Sequence, residues 1–287
     1  AGQLPQQSTS KVSEATAGQQ PKASTSTVHA LQRGGTVAVT GAAGFVGGWI
    51  VRFCLDRGYS VRACVRNLYD QKKVAFLKGM PEFGDKLSLH SADMTVAGAY
   101  DAIFQGCSTV FHPAEVFMSF GDGRDMKGAL DDFAKASGAA PGEGGLHKAA
   151  LSSSQYIVDS INKSGTVSRL IYTSSIAALM GGPADGNWMS SPLVNETHLP
   201  ASTSLEDYGG TKRLTEKFLD FQAQLSGGRW DIITCNPGDI VGPILSSHQA
   251  GETWQGKIAG VLQGIPAPQE AGGRPWMLVD VRDVAEA

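Results

Sequence analysis

The most constraining stretch begins with Thr36-Val37-Ala38-Val39-Thr40 and runs without a spacer into Gly41-Ala42-Ala43-Gly44-Phe45-Val46-Gly47. Residues 36–40 predict a short strand buried on both faces. The next segment, with Trp49, Ile50, Phe53 and Cys54 on one side, predicts an amphipathic helix that Gly58 ends. Each glycine has a geometric task between them. Gly41 permits the tight turn, Gly44 lets backbone come close to a pyrophosphate, and Gly47 allows the helix to pack against the strand. The start of such a helix offers free N–H groups and a positive dipole end to phosphates. A glycine triplet alone is weak; between a strand and an amphipathic helix, it points to dinucleotide binding.

The same alternation continues. Strands are expected over 60–66, 87–90, Thr109–His112, Arg169–Thr173 and Asp231–Cys235. Helices are expected over 147–163, on Leu151, Ile157, Val158 and Ile161, and over about 205–225. Strands separated by helices imply an α/β fold, a Rossmann-like doubly wound parallel sheet. The expected organisation is a nucleotide-binding domain over 34–240 and a small, incomplete substrate-binding region over 241–287. Residues 119–146 carry seven glycines and read as a surface loop near the active-site end.

Residues 1–33 hold only Leu4, Val12, Val28 and Leu31 as branched apolar residues, too few to offset the entropy of ordering, so a solvated or partner-bound tail is expected. The tail lacks the apolar core of a secretory signal, and its single acid, Glu14, also fits the remnant of a plastid or other organelle transit segment. Otherwise a cytoplasmic location is expected. A net charge of −3 in 287 residues gives no pull toward nucleic acid, and no apolar run reaches membrane-spanning length. Cys54, Cys64, Cys107 and Cys235 show no metal-ligand spacing and are expected as buried free thiols; no metal is expected.

Three further segments carry chemistry. The second strand ends in Arg66-Asn67, without the acid that would grip a ribose 2′-hydroxyl. Arg66, with Lys73 in reach of the same group, suits a 2′-phosphate, because a guanidinium donates paired hydrogen bonds; NADP(H) is favoured. Tyr208 and Lys212 lie one turn apart on a helix, where an ammonium favours phenolate over phenol. Gly209 and Gly210 between them cost helix stability and imply close backbone approach. Tyr172-Thr173-Ser174-Ser175 closes a buried strand, and the Ser175 hydroxyl can hydrogen-bond an oxygen on which negative charge develops.

Taken together, these segments resemble the extended short-chain dehydrogenase/reductases, in the dihydroflavonol reductase, cinnamoyl-CoA reductase and 3β-hydroxysteroid dehydrogenase branch. The likeness runs over about 36–287. It takes in residues 40–47, 58–67, Lys73-Val74, Ala92-Asp93-Met94, Gly106-Cys107, 110–114, 172–175, 208–212, 236–243 and 279–284. It implies a catalytic set of Ser175, Tyr208 and Lys212, with Tyr208 as acid/base, Ser175 polarising the substrate oxygen and Lys212 holding the cofactor ribose. It further implies that Asp93 and Met94 border the adenine, Pro113 and Ala114 the cofactor's middle, and Pro237, Gly238 and Ile240 the nicotinamide. The implied reaction moves a hydride between NADPH and a carbonyl of a small hydrophobic or aromatic molecule.

Departures accompany the likeness. Ser153 and Tyr156 stand where relatives often carry glycine and asparagine, residues 119–146 are long, and the chain stops where relatives continue. Two other functions share the fold: a nucleotide-sugar epimerase or dehydratase, and a non-catalytic subunit of a larger complex, its tail on a protein partner.

Overall fold

The computed structural model describes residues 34–114, 145–180, 208–251, 254–265 and 277–287. The tail at 1–33, the glycine-rich stretch at 119–144 and the first residues of the helix expected from 205 lie outside these.

Strand β1 (Thr36–Val39) leads through the glycine turn to helix α1 (Phe45–Asp56), then to β2 (Ser60–Val65), α2 (Gln71–Lys78), β3 (Leu87–Ser91), the single turn α3 (Asp101–Phe104) and β4 (Thr109–His112). The second half runs α4 (Gly145–Ser164), β5 (Arg169–Thr173), the short α5 (Ala177–Met180), α6 (Tyr208–Leu225), β6 (Asp231–Cys235) and β7 (Asp239–Val241). A 3-10 turn (Ser247–Gly251), α7 (Trp254–Leu262), β8 (Leu278–Asp280) and α8 (Val281–Glu286) follow. Six strands form one sheet in the order β3-β2-β1-β4-β5-β6, and all five pairings are parallel. This is the doubly wound Rossmann arrangement. Strand β7 pairs separately with β8, also in parallel.

The strand order dictates where a ligand can sit. From β1 the chain winds outward through β2 and β3, then crosses back to lay β4 on the other side of β1, with Val37 beside Thr109 and Val39 beside Phe111. Connections therefore leave β1 and β4 toward opposite faces and open a crevice beyond their carboxyl ends.

Period-two alternation sends the central strand into two cores. Val37 and Val39 join Ile50, Val51, Cys54, Leu55, Val61, Val65, Leu77 and Leu87 on one face. Ala38 points the other way, into Tyr100, Phe104, Val110, Ile157, Val158, Ile161, Leu170, Tyr172, Leu219 and Trp230. Helix α1 thus buries Ile50, Val51, Cys54 and Leu55, whereas Trp49 and Phe53, expected on its inner face, are half-buried at its flank. The Trp49 indole N–H donates to the Pro243 carbonyl at 2.8 Å, and the Phe53 ring lies 4.7 Å from the Arg57 guanidinium carbon. Both aromatic rings have polar or cationic partners that a sealed core would not supply.

Cys54, Cys64 and Cys107 are buried free thiols, and burial pushes Cys54 up to about 12. Cys235 departs from expectation in being only half-buried. It lies on β6, one of the two edge strands of the sheet, whose residues are all at least partly open. Among the described residues, no helix is long and apolar enough to cross a membrane.

The edge strand is fastened by charge. Arg169 on β5 donates from Nε and Nη2 to the two carboxylate oxygens of Asp231 on β6, at 2.8 and 2.7 Å. Asp231→Ala leaves the largely buried guanidinium unpaired and should lower the unfolding free energy by about 3 kcal/mol. Urea titration checks this; a loss below about 1 kcal/mol would make the pair no stronger than an exposed one.

Candidate active site

The glycine turn is built without spare room. Gly41 holds φ at +57°, and a Cβ there would lie 3.1 Å from Ala114 Cα and Cβ at the end of β4. A Cβ on Gly47 would lie 2.3 Å from the Gly41 carbonyl oxygen, so helix and turn meet backbone to backbone. Helix α1 begins after Gly44, which offers no side chain as a cap, and its first turn holds no acid. The N–H groups of Phe45, Val46 and Gly47 precede any intrahelical acceptor and share the positive end of the dipole. An uncapped helix start with neutral residues is a donor set that fits a pyrophosphate.

A second contact joins the two strands flanking the crevice. The Thr40 hydroxyl lies 2.8 Å from His112 Nδ1 and accepts the Ala114 N–H at 3.3 Å. His112 is fully buried, with its ring 5.9 Å from that of Tyr172. Burial, helped by the Lys212 ammonium, pushes its pKa down to about 3, so the imidazole is neutral at physiological pH.

Tyr208 opens helix α6, and Gly209 explains how it can. A Cβ on Gly209 would come within 2.5 Å of the Ala177 carbonyl oxygen, so only glycine lets α6 settle on the segment after β5. One turn on, the buried Lys212 ammonium donates to the Thr173 carbonyl at 3.0 Å and stands 4.9 Å from the Tyr172 ring centroid and 5.8 Å from that of Tyr208. Ser175, two residues beyond Thr173, is half-buried; its Oγ accepts the Ala177 N–H at 3.2 Å. Its carbonyl accepts from Asn236 Nδ2 at 3.1 Å, and the same amide donates to the buried Glu216 carboxylate on α6 at 2.6 Å. Arg213 bonds the other Glu216 oxygen at 3.2 Å. Asn236 therefore ties Ser175 to α6 at Glu216.

The other expected residues divide. At the tips of β2 and β3, Arg66 is exposed with its Nε 3.9 Å from Asp93 Oδ2, while Asp93 Oδ1 accepts from the Thr95 amide and hydroxyl at 2.9 and 2.8 Å. The second strand lacks its own terminal acid, yet its neighbour sets one beside Arg66. Met94 packs against the core around Tyr100 and Phe104, and Lys73 is exposed in the first turn of α2. Pro113 and Ala114 follow β4 directly, at the crevice. The Pro237 carbonyl accepts the Ile176 N–H at 2.9 Å, a Cβ on Gly238 would fall 2.1 Å from the Met277 carbonyl oxygen, and Ile240 pairs with Val279 in the small sheet. Among the described residues no group of His, Cys, Asp or Glu could hold a metal ion.

The family model described as the NAD dependent epimerase/dehydratase family matches residues 37–130. The chain is 31% identical over 265 residues to a cinnamoyl-CoA reductase of Medicago truncatula, covering 88% of this chain and 71% of that protein. It is 33% identical over 220 residues to a dihydroflavonol 4-reductase of Callistephus chinensis, covering 74% of this chain but only 53% of the relative. Among solved structures, yeast methylglyoxal/isovaleraldehyde reductase complexed with NADPH superposes with a TM-score of 0.65 at 23% identity, over 88% of this chain and 72% of that one.

The buried imidazole has a consequence for acid stability. Below about 6.5 the unfolded chain binds a proton at His112 that the folded chain takes up only near 3, so stability falls as pH drops through that window. Replacing His112 with Gln, which cannot titrate, should flatten this part of the stability–pH curve; an unchanged slope would show that other groups set it.

Proposed function

The chain belongs to the extended short-chain dehydrogenase/reductases, in the dihydroflavonol reductase and cinnamoyl-CoA reductase branch, and on that premise we propose that it is an NADPH-dependent reductase of a carbonyl on a small hydrophobic or aromatic substrate. The observation that carries this reading is the buried Lys212 ammonium, held by the Thr173 carbonyl and lying 5.8 Å from the Tyr208 ring. A cation fixed there favours the phenolate side of the Tyr208 equilibrium and makes the phenol a usable proton donor.

In this reading the glycine turn and the amides of Phe45, Val46 and Gly47 bind the pyrophosphate, with Gly41 making the tight turn and Gly44 letting the backbone come close to it. NADPH, when bound, supplies the hydride. Tyr208 delivers the proton to the substrate oxygen. The Ser175 hydroxyl, whose oxygen already accepts one N–H, keeps its own hydrogen to donate to that same oxygen as charge builds. Lys212 also bonds the ribose, Pro113 and Ala114 line the cofactor's middle, and Pro237, Gly238 and Ile240 flank the nicotinamide. Asp93 and Met94 border the adenine. Arg66 and Lys73 meet the 2′-phosphate, and the Asp93 carboxylate keeps Arg66 near the tips of β2 and β3.

Two experiments test the reading. Tyr208→Phe should lower kcat for NADPH-dependent reduction across a carbonyl panel by at least about 100-fold, the range of a lost general acid, with NADPH affinity little changed. Full activity in that variant would remove Tyr208 from the mechanism. Arg66→Ala should weaken NADPH binding by about tenfold or more and leave NADH nearly unaffected, since a phosphate contact of this kind is worth about 1.5–3 kcal/mol. Equal losses for the two cofactors would place the 2′-phosphate elsewhere.

A further inference from the structure

The glycine turn is gripped from behind by a segment some 200 residues later. Gln249, in the 3-10 turn after β7, is fully buried, and every polar valence of its side chain is used. Its Oε1 accepts the N–H groups of Leu245 and Ser246 at 2.9 and 3.3 Å, which fixes the amide within its own turn. Its Nε2 donates to the carbonyls of Ala43 and Gly44 at 3.3 and 3.2 Å. His248 adds a contact from Nε2 to the Ala43 carbonyl at 2.8 Å. A carbonyl oxygen only accepts, so Nε2 carries the hydrogen, and Nδ1, 3.0 Å from the Ser246 hydroxyl, can accept from it. Gly48 on α1 leaves the space this amide needs, because a Cβ there would lie 3.4 Å from Gln249 Nε2 and 3.1 Å from the Phe76 ring.

These bonds set the direction of the peptides they hold. A trans peptide is planar, with its C=O and N–H pointing oppositely, and no cis bond occurs among the described residues. With its oxygen turned toward Gln249 and Gly48, the 44–45 peptide directs the Phe45 N–H the other way. With the Ala43 oxygen held by His248 and Gln249, the 43–44 peptide directs the Gly44 N–H into the turn, where it donates to the Gly41 carbonyl at 2.9 Å. An amide with no acceptor inside its helix and a fixed direction is a pre-aimed donor, and pre-aiming lowers the entropy that binding must overcome.

We propose that Gln249, assisted by His248, is a positioning residue for the cofactor: from the far side of the glycine turn it aims the Phe45 amide at the pyrophosphate. The inference rests on the nucleotide reading given above and extends it to residues that do not touch the ligand.

Gln249→Glu is the informative variant. The new side chain can still accept from Leu245 and Ser246 but, as a carboxylate, has no donor for the glycine turn. Calorimetry at neutral pH with NADP+ and, separately, adenosine 2′-phosphate, which lacks the pyrophosphate, compares the two ends of the site on the full chain. The expected result is a loss of about tenfold or more for NADP+, the effect of a misdirected hydrogen bond to a charged group, with adenosine 2′-phosphate within about twofold of the unaltered protein. Parallel losses for both ligands, or none for either, would overturn the proposal in favour of a purely structural glutamine. Should the variant fail to fold, His248→Ala, which opens no sealed cavity, is judged on the same two ligands. If the unaltered protein binds neither ligand, the nucleotide reading itself fails, and this inference with it.

Discussion

Helix α1 rests directly on the backbone of the turn that precedes it, with the position of a Gly47 Cβ only 2.3 Å from the Gly41 carbonyl oxygen. Nothing bulkier than hydrogen fits between them, and that lack of space determines where the helix start can be. It brings the free amides of the first turn over the tips of β1 and β4, the place where the strand order reverses. The Thr40, His112 and Ala114 contacts then join those two strands at the crevice. Because the turn is tight and left-handed at Gly41, the crevice receives a row of donors in place of a side chain.

The opposite wall uses the same device with different residues. Gly209 lets α6 approach the Ala177 carbonyl, which brings Tyr208 and Lys212 to the end of β5. The Lys212 ammonium is buried yet solvated by a carbonyl and two ring faces, while the nearby His112 stays neutral and so adds no repulsion. Asn236 links the Ser175 carbonyl to Glu216 on the same helix. Ser175, Tyr208 and Lys212 therefore sit on a lattice of short backbone approaches and buried amides, a rigid support of the kind that precise geometry requires.

What the sequence discloses here is mostly local. The turn at 41–47, the Tyr208–Lys212 turn and the strand ending at Thr173 follow from spacing over a few residues, where backbone period and glycine chemistry determine the outcome. The strands over Arg169–Thr173 and Asp231–Cys235 have the bounds that their apolar runs predict. Long-range pairings were not legible. Arg66 and Asp93 are brought together by the β2–β3 register, Asn236 meets Glu216 only once α6 and β6 are placed, and Gln249 finds the glycine turn across 205 residues. No periodicity marks such partners. The half-exposed Trp49, Phe53 and Cys235 have a related cause: hydrophobicity records that a residue prefers burial, not whether the nearest surface is the sheet's middle or its edge.

The grip on the glycine turn has a consequence for biosynthesis. The glycine turn is made early, but the Gln249 amide that bonds its carbonyls emerges from the ribosome about 200 residues later. A nascent chain carrying β1 to β4 already holds the turn, yet the turn lacks its buttress. Because the sheet is wholly parallel and its order requires distant segments to meet, assembly is slow by topology. During that interval, open strand edges remain exposed to other chains. The order of synthesis thus makes closure of this contact a late step in completed folding.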